Sequence, residues 1–249
     1  MTTTPPDPLL PRDHATVPVV LSARGLTKTY DATHALADLS LDLRAGESVA
    51  VMGPSGGGKT TLLHCLAGII TPDAGQVVLH TGRGTTDIAR LSDGERSALR
   101  RSTFGFVFQQ GLLIPELTAL ENVAVALMLL GVDRAGAEHS AAQWLAALGL
   151  GGMEDRRTGQ LSGGQAQRVA IARAQVTGAA VIFADEPTGA LDSGTSAEVM
   201  DLLLRSTTGT GKTLVVVTHD DDVARRCART VRLRDGRIVS DSLHAGAAA

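Results

Sequence analysis

Three short runs of consecutive apolar residues mark the chain: Val49-Ala50-Val51-Met52, Val181-Ile182-Phe183-Ala184 and Leu214-Val215-Val216-Val217. Each has the length of a strand and no polar face, which predicts strands covered on both sides as in a parallel sheet. A second pattern is alternation. Leu39-Ser40-Leu41-Asp42-Leu43 switches strictly between apolar and polar, which predicts a half-exposed antiparallel strand, with Val19 to Ala23 and Gln76 to His80 as further strands beside it. Helical signals follow. Thr61 to Ala67 reads as a helix ending at Gly68. Thr118-x-x-Glu121 is a capping box opening a helix to Leu130 with Gly131 as its stop, and Asp133 caps another to Leu148, stopped by Gly149 and carrying the only tryptophan, Trp144. Ser162-x-x-Gln165 is a second capping box, before a helix from Ala166 to Ala174 that turns Val169, Ile171 and Ala172 inward and Gln167, Arg168 and Arg173 elsewhere. Asp235-Gly236 reads as a two-residue hairpin turn between Val231-Arg232-Leu233 and Arg237-Ile238-Val239. The expected fold is α/β: a mostly parallel core sheet, an antiparallel β subdomain, and a helical subdomain inserted at about residues 111–160.

The ends of the strands carry the chemistry. Between the first apolar strand and its helix lies Gly53-Pro54-Ser55-Gly56-Gly57-Gly58-Lys59-Thr60, which fits the phosphate-binding pattern G-x-x-x-x-G-K-[ST]. Glycines let backbone N–H groups close around a phosphate, and the helix N-terminus adds positive potential. Lys59 is placed for the β- and γ-phosphates and the Thr60 hydroxyl for Mg2+. A plain glycine-rich turn would explain the glycines, but the chain holds only three lysines, Lys28, Lys59 and Lys212. By itself this loop leaves kinases, GTPases and ATPases open.

The second apolar strand delivers Asp185 and Glu186 at its C-terminal end, the edge where open α/β sheets bind ligands. Asp185 is suited to hold Mg2+ and Glu186 to orient an attacking water. An isolated acidic pair before Pro187 would be a surface turn, and the strand and phosphate loop argue against that. The third strand leads to His219, a candidate sensor of the γ-phosphate, since imidazole can donate to phosphate oxygen. Ser162-Gly163-Gly164-Gln165 is a good cap with an oddity. Each of its two glycines costs a helix up to about 1 kcal/mol, which suggests close backbone approach by a ligand at an open helix N-terminus.

Composition removes other classes. At 249 residues and 43% hydrophobic, the chain suits one large domain with an insert. A net charge of −3, with four Phe, one Tyr and one Trp scattered along it, offers no stacking platform for nucleic acid. The best apolar stretch, Val123 to Leu130, is far shorter than the roughly 18 residues of a membrane span, so the chain is not expected to cross a membrane by itself. Residues 1–18, rich in Thr and Pro, read as a disordered tail without signal-peptide character, residues 19–240 as the domain, and 241–249 as a flexible tail. Cys65 and Cys227 fit reduced cytosolic thiols without disulfide or zinc roles.

The run Leu161-Ser162-Gly163-Gly164-Gln165-Ala166-Gln167-Arg168-Val169-Ala170-Ile171-Ala172-Arg173-Ala174 resembles the signature of ATP-binding cassette (ABC) ATPases, a branch of the P-loop NTPases, and the likeness extends from about Val19 to Val239. It implies that Tyr30 stacks on adenine, that Thr61 belongs to the nucleotide-binding set, that Gln109 is the Q-loop glutamine, joining Thr60 and Asp185 at the metal, and that Asp192 is the D-loop aspartate. Glu186, His219, Lys59 and Gln109 would be the catalytic group, with ATP and Mg2+ bound. It also implies a head-to-tail homodimer in which Ser162, Gly163, Gly164 and Gln165 complete the partner's ATP site.

Phe104-Gly105-Phe106-Val107-Phe108-Gln109, Leu117-Thr118-Ala119-Leu120-Glu121-Asn122-Val123 and Asp185-Glu186-Pro187-Thr188-Gly189-Ala190-Leu191-Asp192-Ser193 are similar to ATPases paired with macrolide-exporter, lipoprotein-release and bacitracin-resistance permeases. Export of a peptide, antibiotic or lipid-linked molecule is implied, from the cytoplasmic face of a membrane. The apolar surface at Leu112, Leu113 and Leu117 is either core or, by the resemblance, a groove for a permease helix. The cell-division ATPase, which moves nothing across the membrane, resembles this chain too. A soluble ABC ATPase of DNA repair or translation would carry tandem cassettes or long insertions, which are missing here. Three positions depart from the family: Thr158 and Ala179 where prolines are usual, and Gln175 in place of a leucine.

Overall fold

The computed structural model describes residues 17–245; the expected tail is outside it up to residue 16, as are residues 246–249. The chain opens with a hairpin of β1 (Val19–Tyr30) and β2 (Thr33–Arg44), turns into β3 (Ser48–Met52) and α1 (Lys59–Leu66), and returns as β4 (Ala74–Thr81) and β5 (Gly84–Asp87). There follow α2 (Asp93–Ser102), β6 (Phe104–Phe108), α3 (Ala119–Met128), α4 (Arg134–Ala147), α5 (Gly163–Gln175) and β7 (Val181–Asp185). The chain ends through α6 (Ser193–Thr207), β8 (Thr213–Val217), α7 (Asp221–Arg225), β9 (Arg229–Arg234), β10 (Arg237–Asp241) and α8 (Ser242–Ala245).

Two sheets result. One is antiparallel in the order β2-β1-β4-β5; the other runs β10-β9-β3-β8-β7-β6 and is parallel except for β10 at its edge. Alternate side chains of the central strands feed two cores. Val181, Phe183, Val215 and Val217 join Leu21, Leu36, Leu62 and Leu66 on the side of α1 and the antiparallel sheet. Ile182, Ala184, Leu214 and Val216 join Val123, Leu145, Val169 and Leu203 beneath the helices on the other side. That division is the period of two expected of a strand buried on both faces.

Several elements differ from expectation for identifiable reasons. β1 runs on to Tyr30 because Gly25, at φ 58, sits where the register with β2 shifts, and the break in alternation hides the rest of the strand. α3 stops at Met128, two residues early, and the next residues close in turns before Gly131. Gln167 turns inward: it is buried, and its side-chain amide donates to the carbonyl of Phe108 at 2.9 Å, tying α5 to the end of β6. The chain is still ordered where a tail was expected. Asp241 ends β10 and Ser242–Ala245 forms a helical turn, because the buried Arg229 holds Asp241 at 2.7 Å and Glu47 at 3.2 Å. Burial pushes the Glu47 carboxyl up despite Arg229.

The unusual Gln175 is equally well placed. It donates to Thr207 Oγ1 at 2.6 Å and accepts from Lys212 Nζ at 2.9 Å, so a polar side chain stands in a core position fully bonded. Lys212 lies 5.5 Å from the ring centre of Trp144 on α4. Burial pushes the thiols of Cys65 and Cys227 up to about 12, so neither is a reactive thiolate.

Candidate functional site

The loop after β3 is shaped by its own neighbours. A Cβ on Gly53 would lie 2.3 Å from the carbonyl oxygen of Leu233, and one on Gly58, at φ 95, would lie 2.2 Å from that of Ala35. Both glycines are therefore also required by close backbone packing, a reason additional to the approach of a phosphate. Gly56 does leave open space, and Gly57 donates its N–H to Pro54. Gly58 is the N-cap of α1 and supplies no side-chain cap, so the first N–H groups of that helix stay available to an anion. Lys59 is buried and donates to the carbonyls of Gly53 at 2.8 Å and Pro54 at 3.0 Å, which seats its ammonium at the mouth of the loop. Ser55, Thr60 and Thr61 follow the same turn, and Thr60 and Thr61 line a small cleft with Ala35, Gly56 and Gly58.

The acidic residues arrive from β7. Asp185 accepts from Thr60 Oγ1 at 3.3 Å, and burial pushes its carboxyl up against the effect of that bond. A desolvated carboxylate beside a hydroxyl is a poor place for bare negative charge and a good one for a hard cation. Among the described residues no cluster of three His, Cys, Asp or Glu could cage a metal. Glu186 stands in the left-handed region at φ 47, a strained conformation for a non-glycine residue. Its N–H donates to Val217, and its carboxylate meets His219 Nδ1 at 2.7 Å and Thr218 Oγ1 at 3.3 Å. Adjacent strands β7 and β8 therefore bring Glu186 and His219 into direct contact. Because a carboxylate only accepts, Nδ1 carries the proton and Nε2 points elsewhere.

Gln109, just past β6, lies on the same cleft as Thr60, Asp185 and Glu186, and its amide packs so close to Gly189 that a Cβ there would be 2.9 Å away. His64, one helical turn beyond Thr60, went unnoticed in the sequence. It is half-buried near Asp185, and burial lowers its pKa more than that carboxylate raises it. The i, i+4 spacing from Thr60 was the available signal.

The other glycine-rich turn sits apart. Ser162 accepts from the N–H of Gln165 at 3.2 Å and Gln165 Oε1 accepts from the N–H of Ser162 at 2.9 Å, the reciprocal cap. Ser162 and Gly163 are exposed, but Gly164 is buried, and a Cβ on it would meet Thr195 Cγ2 at 2.5 Å. So packing on α6 is by itself a reason for glycine at 164. Asp192 caps α6, accepting from Thr195 N at 3.0 Å and Oγ1 at 2.7 Å. No hydrogen bond or ion pair among the described residues joins 162–165 to the phosphate loop. Tyr30, at the end of β1, is 48% exposed.

A phosphate loop after β3, a histidine just past the neighbouring strand β8 and two acidic residues at the end of β7, the strand beyond it, define a nucleotide-hydrolysing P-loop protein. The family model described as "ABC transporter" matches residues 36–189, and the chain belongs to that family. It is an ATP-binding, ATP-hydrolysing domain of the ABC type. Among its relatives, the macrolide export ATP-binding/permease protein MacB of Brucella melitensis is 48% identical over 211 residues, 85% of this chain and 32% of that protein. The chain thus spans about a third of the length of the MacB relatives it matches. The lipoprotein-releasing system ATP-binding protein LolD of Geobacter metallireducens is 43% identical over 226 residues, 89% of this chain and 99% of that one. Among solved structures, the dimeric post-hydrolysis form of the ATP-binding cassette MJ0796 with ADP and Pi has a TM-score of 0.79 at 39% identity, covering 89% of this chain and 97% of that one.

Proposed function

We propose that this chain is the ATPase subunit of an ABC exporter, working as a head-to-tail homodimer with two ATP molecules between the copies and driving a membrane permease. The reading rests on one observation above the others: Glu186 and His219 in contact at 2.7 Å, at the sheet edge where Asp185 meets Thr60. Lys59, the loop N–H groups and Thr61 bind the triphosphate, and Tyr30 stacks on adenine. Thr60, Asp185 and Gln109 would hold Mg2+, which when bound neutralises charge on the phosphates. Glu186 then orients a water in line with the γ-phosphate, and His219 fixes the carboxylate through Nδ1, leaving Nε2 for the phosphate. As imidazolium, it would donate there as well.

The second half of each site comes from the partner copy, through its Ser162, Gly163, Gly164 and Gln165, with Asp192 nearby. The exposure of Ser162 and Gly163 away from their own phosphate loop supports this, as does the dimeric form of the MJ0796 cassette. No helix among the described residues is long and apolar enough to cross a membrane, so the permease is assigned to other residues. It docks beside Gln109, where Leu112 and Ile114 are exposed, and it holds the ATPase at the inner face of the membrane. The relatives point to a macrolide-like or lipid-linked cargo.

The test is Glu186→Gln. Steady-state hydrolysis should fall by about a thousandfold while ATP binding, and dimer formation followed by light scattering, persist. Undiminished turnover would remove Glu186 from its role, and a monomer at saturating ATP would remove the dimer.

A further inference from the structure

Lys28 and Asp73 form a pair that the hydrolytic machinery leaves unused. Asp73, in the turn between α1 and β4, grips the strand leading into Tyr30 at three successive residues. Its N–H donates to Thr27 O at 2.8 Å, its Oδ1 accepts from Lys28 Nζ at 2.6 Å, and its Oδ2 accepts from Thr29 N at 2.7 Å. So anchored, Lys28 places its ammonium 5.7 Å from the ring centre of Tyr30, within reach of a cation–π contact. The tyrosine is half exposed, with a cation against one side of its ring. Tyr30 pairs with Thr33 across the hairpin turn, two residues ahead of Ala35, whose carbonyl abuts Gly58 of the phosphate loop.

We propose that Lys28 and Asp73 are positioning residues for the adenine base: they fix the tilt of Tyr30, occupy one face of its ring and leave the other for stacking. This rests on the role of Tyr30 given above. A base would then find a ring already oriented, with a cation behind it, and would not have to order the hairpin tip on binding.

The experiment compares two probes, a non-hydrolysable ATP analogue and inorganic tripolyphosphate, each with Mg2+. Tripolyphosphate has no base. Lys28→Met keeps the aliphatic stem and removes the charge; it should weaken the analogue about two- to fivefold and leave tripolyphosphate unchanged. KM for ATP should rise in proportion while kcat moves less than twofold, and Lys28→Arg should restore both. In a Tyr30→Ala background, Lys28→Met should have no further effect. Because Tyr30 is the only tyrosine, a 13C-labelled ring gives a single NMR signal whose nucleotide-induced shift should shrink in Lys28→Met and Asp73→Asn. Equal weakening of both probes would overturn the proposal, placing the charge on the phosphates or in the fold. If Tyr30→Ala weakens the analogue and Lys28→Met does not, this inference alone fails. If Tyr30→Ala has no effect, the stacking role of Tyr30 fails with it.

Discussion

The turn before α1 is closed on the backbone of distant strands, whereas the turn before α5 is closed by its own cap and, at Gly164, by a side chain of α6, with Ser162 and Gly163 facing outward. In the first, Gly53 and Gly58 press against the carbonyls of Leu233 and Ala35, and Lys59 bonds the loop from within. In the second, the reciprocal bonds of Ser162 and Gln165 complete the helix start, while Ser162 and Gly163 remain exposed. Both are glycine-rich helix N-termini with the same electrostatics. They differ in where their partners are. A turn pressed against backbone is preorganised, and substitutions there register first as lost stability; in the other turn only Gly164 is held by packing, so Gly163 can change without unfolding anything and reports on what docks against it.

The most damaging way to break this contrast is Gly58→Ala. The new methyl group meets backbone, which cannot swing aside, and the residue needs φ 95. Strain and clash together should cost about 2–4 kcal/mol, seen as a lower urea midpoint, with ATP binding lost alongside. An unaltered midpoint would show that the loop is held more loosely than its contacts indicate.

Gly164→Ala probes the buried half of the other turn. Its Cβ meets only Thr195 Cγ2, so overpacking should cost about 1–2 kcal/mol, and Thr195→Ser, which removes that methyl group and keeps the hydroxyl bond to Asp192, should recover most of it. Failure of the double variant to recover would mean that Gly164 serves something other than packing. Gly163→Ala, one residue earlier, meets just the tip of Leu191 at 3.1 Å. Stability should stay within about 0.5 kcal/mol of the parent, helped by the gain in helix propensity, while ATPase activity at saturating ATP falls severalfold. Loss of stability and activity in equal measure would erase the distinction between the two turns.

The contrast was partly legible in the sequence. The parallel strands β3, β7 and β8 were, because uninterrupted apolar runs have few other uses, and the strand ends then put Asp185, Glu186 and His219 on one edge. The capping boxes at Thr118 and Ser162 were readable from spacing alone, while the equally local one of Ser92 and Glu95 opens α2, a helix without buried residues and so without an apolar stripe to mark it. Most of what escaped depends on a distant part of the chain. Gly53, Gly58 and Gly164 are each required by a backbone or side chain 23 to 180 residues away. Gln167 reads as a surface residue by polarity, yet it is buried to satisfy the Phe108 carbonyl. β1 lost half its length to a bulge, and Asp241 became ordered through a buried arginine whose need for a counter-charge no local pattern shows.

The smallest effect separates the two adjoining caps by charge. Ser162 caps α5 with a hydroxyl, and Asp192 caps α6 with a carboxylate that the N–H of Thr195, and then its hydroxyl, hold below the usual range. A carboxyl whose pKa is depressed in the folded state adds stability that is complete above its unfolded value of about 3.9 and is lost as pH falls through the lower folded value. Asparagine caps as well as aspartate but carries no charge for the helix dipole. Urea midpoints of the parent and Asp192→Asn should therefore differ by a constant amount from pH 7 to about pH 5 and converge below it, since the other carboxylates titrate alike in both. Ser162→Ala should run parallel to the parent throughout. A gap for Asp192→Asn that survives to pH 2.5 would mean the aspartate acts by shape and not by charge, leaving the two caps alike.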